Sequence, residues 1–388
     1  MLKDIAELRY LNTIKENLEE LDEESLRNFY YNIISARVII PTGEGRSKGA
    51  LSIACSEIAK MERGKIILDR SDIGFPGRDL YEAAPVIRRK YGPFCLLVNS
   101  GSGKALIPLI DSQKLAQYIV DTGNNRDYRI NVLTSDPESP LAKLGYKFGT
   151  TLLLKGKRET EISEEGVREF REHGILGDIF ELGSAALFQA TAEAMNNDAP
   201  ADHLKGYINN LLIDVFKVFD DIEAVKFLNS VADELEKRNA CFFGGLGSGL
   251  EVARMAAVRI GHIKRILGDS TYVVRDTNLP SPRTGDIFIV ISYSGETEIV
   301  VGWCRNFKRL GGKIISITGN ANTSISAISD INYVLETSYK KGEPNRFYLK
   351  AAFLLSPLPI FMVSRMEQRG FSIPEYVFKW YQSVISII

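Results

Sequence analysis

The chain has 388 residues, 45% of them hydrophobic, and its 48 basic residues nearly cancel its 49 acidic ones, for a net charge of -1. That length and apolar content call for two cores rather than one, and a balanced charge without a basic stripe excludes a nucleic-acid footprint. Four scattered cysteines, Cys55, Cys95, Cys241 and Cys304, lack CxxC spacing; they offer neither a disulfide framework nor a metal cage and fit a reducing, cytoplasmic setting.

The opening stretch, MLKDIAELRYLNTIKENLEEL, reads as an acidic amphipathic helix rather than a signal peptide. Helical periodicity continues to about residue 35. An apolar strand, Arg37-Val-Ile-Ile40, then runs into the turn Thr42-Gly43-Glu44-Gly45-Arg46-Ser47 and a helix of small residues. Further on, the strand Phe94 to Asn99 meets the loop Ser100-Gly-Ser-Gly103, and Val132-Leu-Thr134 ends in a polar turn before a short helix from Ser139.

The second half repeats this order. Helical residues 204–238 lead into Ala240-Cys-Phe-Phe243 and the turn Gly244 to Gly249. The strand Ile287 to Ile291 enters Ser292-Tyr-Ser294-Gly-Glu-Thr297, and Ile315 to Thr318 ends at Gly319-Asn320 before a short helix from Ser324. The apolar run Ala351 to Ser364, interrupted by Pro357 and Pro359, falls short of the roughly 20 residues of a membrane span and reads as a buried helix.

Continuous apolar strands between helices indicate parallel sheets covered on both faces. The expected fold is therefore two tandem doubly wound α/β sandwiches, flavodoxin-like, spanning 1–197 and 204–388 and joined by the polar stretch Asn196 to Asp202.

In an open parallel sheet, ligands settle beyond the carboxyl ends of the strands. Here those ends carry glycines, which let the backbone approach a phosphate closely, and hydroxyls, which add donors beside helix N-termini. The candidate phosphate-binding residues are Gly45, Arg46, Ser47, Ser100 and Ser102 in the first half, and Gly247, Ser248, Ser292, Ser294 and Thr297 in the second. One such loop alone would read as a helix cap or turn; the same strand, Ser-x-Ser-Gly, helix arrangement twice in one chain favours phosphate. No GxxxxGK[ST] loop occurs, and neither glycine turn suits a nucleotide fold, although Asp69 after Lys65-Ile-Ile-Leu68 is a decoy for its ribose-binding acidic residue.

These motifs resemble the sugar isomerase (SIS) domain family, and within it the 6-phospho-3-hexuloisomerases. In the first half the resemblance rests on Gly43-Glu-Gly45-Arg46-Ser47, Asn99-Ser-Gly-Ser-Gly103, Ser139 to Leu144 and Gly177-Asp-Ile-Phe-Glu181-Leu182; in the second it rests on Arg259-Ile-Gly-His262, Asn278 to Pro282 and Gly285 to Thr297. It implies an isomerase that moves the carbonyl of a phosphorylated ketohexose, or of an aldose-ketose pair, through an enediolate. Glu181 would be the proton-shuttling base, and His262 would open the ring or polarise the carbonyl. Neither metal nor cofactor is implied, and the partners expected are a sugar phosphate and a second copy of the chain, with no nucleic acid and no membrane.

Each copy departs from the pattern. Lys60 stands where the family has histidine, Lys104-Ala105 replaces Glu-Thr, the second glycine turn lacks arginine, and Phe347-Tyr348-Leu349 replaces Phe-Glu-Leu. Glu181 and His262 together would make one composite site. On the residues alone, Glu181 also suits a helix-dipole role, His262 a core position, and Arg46 an ion pair. Incomplete copies keep a non-catalytic sugar-phosphate sensor as the alternative; an amidotransferase-type enzyme is not expected, because the repeats start near the N-terminus.

Overall fold

The computed structural model describes residues 8–62, 64–156, 176–275 and 279–374. The opening helical stretch is two helices, α1 (Tyr10–Glu19) and α2 (Glu23–Ser35), because the Asp22 carboxylate accepts the Ser25 N–H at 2.8 Å and starts a new helix. There follow β1 (Val38–Gly43), α3 (Gly45–Lys60), β2 (Ile66–Ile67), α4 (Leu80–Tyr91), β3 (Phe94–Asn99), α5 (Leu106–Thr122), β4 (Tyr128–Thr134), α6 (Pro140–Phe148), β5 (Gly149–Leu153) and α7 (Leu176–Asn196). The second half comprises α8 (Leu204–Phe216), α9 (Ile222–Leu235), β6 (Cys241–Gly244), α10 (Ser248–Ile266), β7 (Thr271–Val274), β8 (Ile287–Ser292), α11 (Glu298–Arg309), β9 (Lys313–Thr318), α12 (Ser324–Ile328), β10 (Ile331–Val334), α13 (Phe347–Leu355) and α14 (Leu358–Gln368).

The sheets run β2-β1-β3-β4-β5 and β7-β6-β8-β9-β10, with every pairing parallel. The halves thus share one strand order, and each has a switch point between its first and third strands, where such sheets bind ligands. These are the tandem α/β sandwiches that the repeated pattern indicates.

Period-two alternation sends opposite faces of each strand to different partners. Val38, Ile40, Leu96 and Val98 pack under α4 and α5, whereas Ile39 and Leu97 face α2, α3 and α7. In the second half Phe242, Phe288 and Val290 form an outer core, while Phe243, Ile289 and Ile291 turn inward. The inner faces belong to one continuous cluster that includes α3, α7, α10 and α13 from both halves. Gly49 lets α3 and α10 meet closely, since a Cβ there would stand 2.9 Å from Met255 Cγ.

The apolar run near the end is also two helices, broken at Ser356–Pro357. The stretch Phe347–Gln368 is long and apolar enough by length and composition to cross a membrane, unlike the shorter run read from sequence; its most apolar window is 83% buried within the protein. His203 is exposed, as its polar context suggests. His173 and Asn278 lie outside the described residues.

Candidate active site

The first glycine turn is shaped by two requirements. A Cβ on Gly43 would crowd the Asn99 carbonyl at 3.0 Å, and Gly45 has φ +52. The turn delivers Ser47, buried in the first turns of α3, so that its hydroxyl donates to Glu181 Oε1 at 3.0 Å. Glu181 projects from the start of α7 and is 3% exposed. Its second oxygen, Oε2, has no hydrogen-bond partner among the described residues.

Asn99, the last residue of β3, ties these parts together. Its Nδ2 donates to the Ser47 carbonyl at 2.8 Å and to Ser184 Oγ at 3.0 Å, while Ser184 donates to the Glu181 carbonyl. Sequence reasoning used Asn99 only as a motif letter. The signal was available: a polar residue closing a wholly apolar strand is buried there for a reason.

Arg46 enters a small cavity between the halves, lined also by Leu182 of α7, Val252 and Arg259 of α10, and Pro359 of α14. His262, half-buried on α10, is held neutral: burial, then the charges of Arg259 and Arg46, push its pKa down to about 4. Arg46 therefore links the two expected catalytic residues. It precedes Ser47, the hydrogen-bond donor to Glu181, and its charge is felt at His262.

The two serine loops have matching hydrogen bonds. Gly103 (φ +64) and Gly295 (φ +63) occupy equivalent corners where a Cβ would collide with Ser139 and Thr323 respectively. Lys104 N–H reaches Ser102 Oγ at 3.4 Å, as Glu296 N–H reaches Ser294 Oγ at 3.3 Å. The Gly101 and Tyr293 carbonyls each accept an N–H from the following strand's turn, Ser135 and Gly319. Ser100 and Ser292 are buried, Ser102 is half-buried and Ser294 exposed. Ala105 and Thr297 are the N-caps of α5 and α11, and neither side chain caps its helix. Both loops thus present helix N-termini at the carboxyl end of a central strand.

The second half differs where acid-base chemistry would sit. Gly247 (φ +54) repeats the turn, but the Ser248 hydroxyl donates to Glu57 Oε1 at 2.9 Å. Glu57 is fully buried, and it also accepts from Lys60 Nζ at 2.7 Å and from the Asn345 N–H at 3.0 Å. Lys60, in the family's histidine position, lies over the Tyr348 ring at 5.2 Å, and Tyr348 occupies the glutamate position. The pair that would mirror Glu181 and His262 is a lysine on an aromatic face. Glu57 was not anticipated, since a glutamate on a small-residue helix gives no sign of its partners across the interface. Asp69, the nucleotide-fold candidate, is bound by Lys48 at 2.6 Å.

The fold and the site define a class: the chain belongs to the SIS domain family. The SIS domain model matches residues 234–356. A 3-hexulose-6-phosphate isomerase of Methanocaldococcus jannaschii is 31% identical over 136 residues, which cover 35% of this chain and 72% of that protein. Among solved structures, tagatose-6-phosphate ketose/aldose isomerase from Escherichia coli aligns over 94% of this chain and 90% of its own at TM-score 0.53 and 11% identity. The C-terminal domain of glucosamine-fructose-6-phosphate aminotransferase from Francisella tularensis aligns over 92% and 95% at TM-score 0.51 and 12% identity. At such identities the structural likeness speaks for the tandem fold.

Proposed function

We propose that the chain is a phosphosugar isomerase of two domains, 1–197 and 204–388, with one composite acid-base site. The observation that carries this reading is Glu181: a buried carboxylate with one oxygen fixed by Ser47 and the other unpartnered, beside a glycine turn and a serine loop suited to phosphate. Glu181 Oε2 takes the proton from the carbon beside the carbonyl and returns it to the neighbouring carbon. His262, neutral at physiological pH, donates a hydrogen bond to the ring or carbonyl oxygen and polarises it while keeping its own proton. Ser100, Ser102 and the α5 N-terminus hold the phosphate with Gly45, Arg46 and Ser47, and hydroxyls and N–H groups steady the enediolate. The similarity to 3-hexulose-6-phosphate isomerase supports a phosphorylated ketohexose as the substrate class. The second loop, with Gly247, Ser248, Ser292, Ser294 and Thr297, is a further phosphate cradle in this reading, and the assembly is a homodimer.

The test is NMR of the purified protein with 3-hexulose 6-phosphate and fructose 6-phosphate in deuterated water. Interconversion with deuterium entering beside the carbonyl supports the reading. Binding without exchange favours a sugar-phosphate sensor instead, a reading motivated by the incomplete copies, with Lys60 in the first and Tyr348 in the second.

A further inference from the structure

A cavity of about 880 Å³ opens where the end of α7 and the side of α8 face the carboxyl ends of β9 and β10. None of the candidate catalytic or phosphate residues lines it. Its volume falls within the range of small-molecule sites, and its walls are polar and highly connected. Arg346 donates through Nε and Nη2 to the two oxygens of Glu193, at 2.8 and 2.6 Å, and through Nη1 to Asp214 at 3.1 Å. Lys350 reaches the same Asp214 oxygen at 3.0 Å. Glu193 and Lys350 are both more than nine-tenths buried.

This network decides the sign of the ligand. Both cations in the wall are engaged by carboxylates, so an anion would have to displace Glu193 or Asp214 before finding a counter-charge. Two more carboxylates, Glu336 and Glu343, belong to the lining, giving four against two cations. Glu343 meets Lys340 outside the lining at 3.0 Å, whereas Glu336, exposed at the mouth, makes no ion pair among the described residues. Half-buried Tyr207 also lines the cavity, and an aromatic ring suits an apolar sugar surface or a cation. Asn197, whose Nδ2 donates to the Glu193 carbonyl, keeps its amide oxygen for hydroxyls, Asn320, whose Oδ1 accepts the Asn322 N–H, keeps its amide nitrogen, and Thr337, which donates to Asn345, can still accept.

We propose that this cavity binds a small hydroxylated amine, its ammonium held by Glu336 and its hydroxyls by the amides and Thr337. The site stands apart from the isomerase reading and does not depend on it.

A matched set of probes tests it: glucamine, sorbitol and sorbitol 6-phosphate share a carbon skeleton and differ in charge. Calorimetric titration of the full chain should rank glucamine above sorbitol by about tenfold, with an affinity weakening in salt. Ser338→Trp at the exposed rim should fill the cavity and abolish glucamine binding while leaving the melting temperature of the free protein unchanged. Glu336→Gln should reduce glucamine to the sorbitol level. Binding of sorbitol 6-phosphate to the serine loops, if the isomerase reading holds, should survive both substitutions. Equal affinity for glucamine and sorbitol, glucamine binding that persists in Ser338→Trp, or none up to about 50 mM would overturn the proposal.

Discussion

Glu181 is buried with an unpartnered oxygen, and burial of that kind is tolerated where chemistry uses the group. Replacing the carboxylate by an amide keeps the Ser47 hydrogen bond and removes the base. Glu181→Gln should therefore lower kcat by about 10² to 10⁴ with the fold retained, as steady-state assay beside circular dichroism would show; undiminished turnover would remove the mechanism. His262 makes a pH prediction. Its folded pKa of about 4 lies below the ordinary 6.5, so between those values the unfolded chain binds more protons than the folded one. Stability from this group is complete above pH 6.5 and is lost as pH falls toward 4. Melting temperatures across that window should fall less steeply in His262→Asn than in the parent. The residue scale is also where sequence reading stopped short: Glu181 and His262 could be named, but the bridging by Asn99 and Ser184 depends on which atoms β3 and α7 bring into contact.

The elements most legible from sequence were those with their own punctuation. The six matched strand-to-loop junctions lie where glycine and serine mark them, and four of the turns, at Gly45, Gly103, Gly247 and Gly295, need a positive φ that other residues resist. The C-terminal apolar run reads as a single helix and the N-terminal stretch as helical to about residue 35 without a stated break, since periodicity passes smoothly over Ser356–Pro357 and over Leu21–Asp22 and only a cap or a proline at the chain's bend reveals the break. Two glycines of similar φ separate dihedral strain from space. At Gly45 a Cβ meets nothing within 4 Å, whereas at Gly103 it collides with Ser139 and Thr134. Gly45→Ala should cost about 1 kcal/mol of strain, and Gly103→Ala more than that, because the loop must also move. Chemical denaturation of both variants checks the order, and equal losses would mean that the serine loop yields freely.

For the molecule as a whole, the decisive feature is the core shared by the halves. Ile39 and Leu97 of the first sheet and Phe243 and Ile289 of the second belong to one buried cluster, with α3 packed on α10 at Gly49. The duplicated pattern announces two domains but cannot tell whether they touch, because apolar helix faces look alike whether covered by their own sheet or by a neighbour's. Separating the halves would expose Val252, Met255 and much of α13 to water, surfaces that are buried in the full chain. Apolar burial is worth about 25 cal/mol per Å², so losing a face of that kind outweighs the few kcal/mol by which a domain of this size is stable. The full chain should unfold in one calorimetric transition. Residues 204–388 expressed alone should fail to give a folded monomer, and co-expression with residues 1–203 should rescue both parts as a complex. A monomeric fragment with a sharp melting transition in size-exclusion and calorimetric runs would show instead that the shared core is an interface between independent domains, and would free each half to have diverged, the first at Lys60 and the second at Tyr348, without constraint from the other.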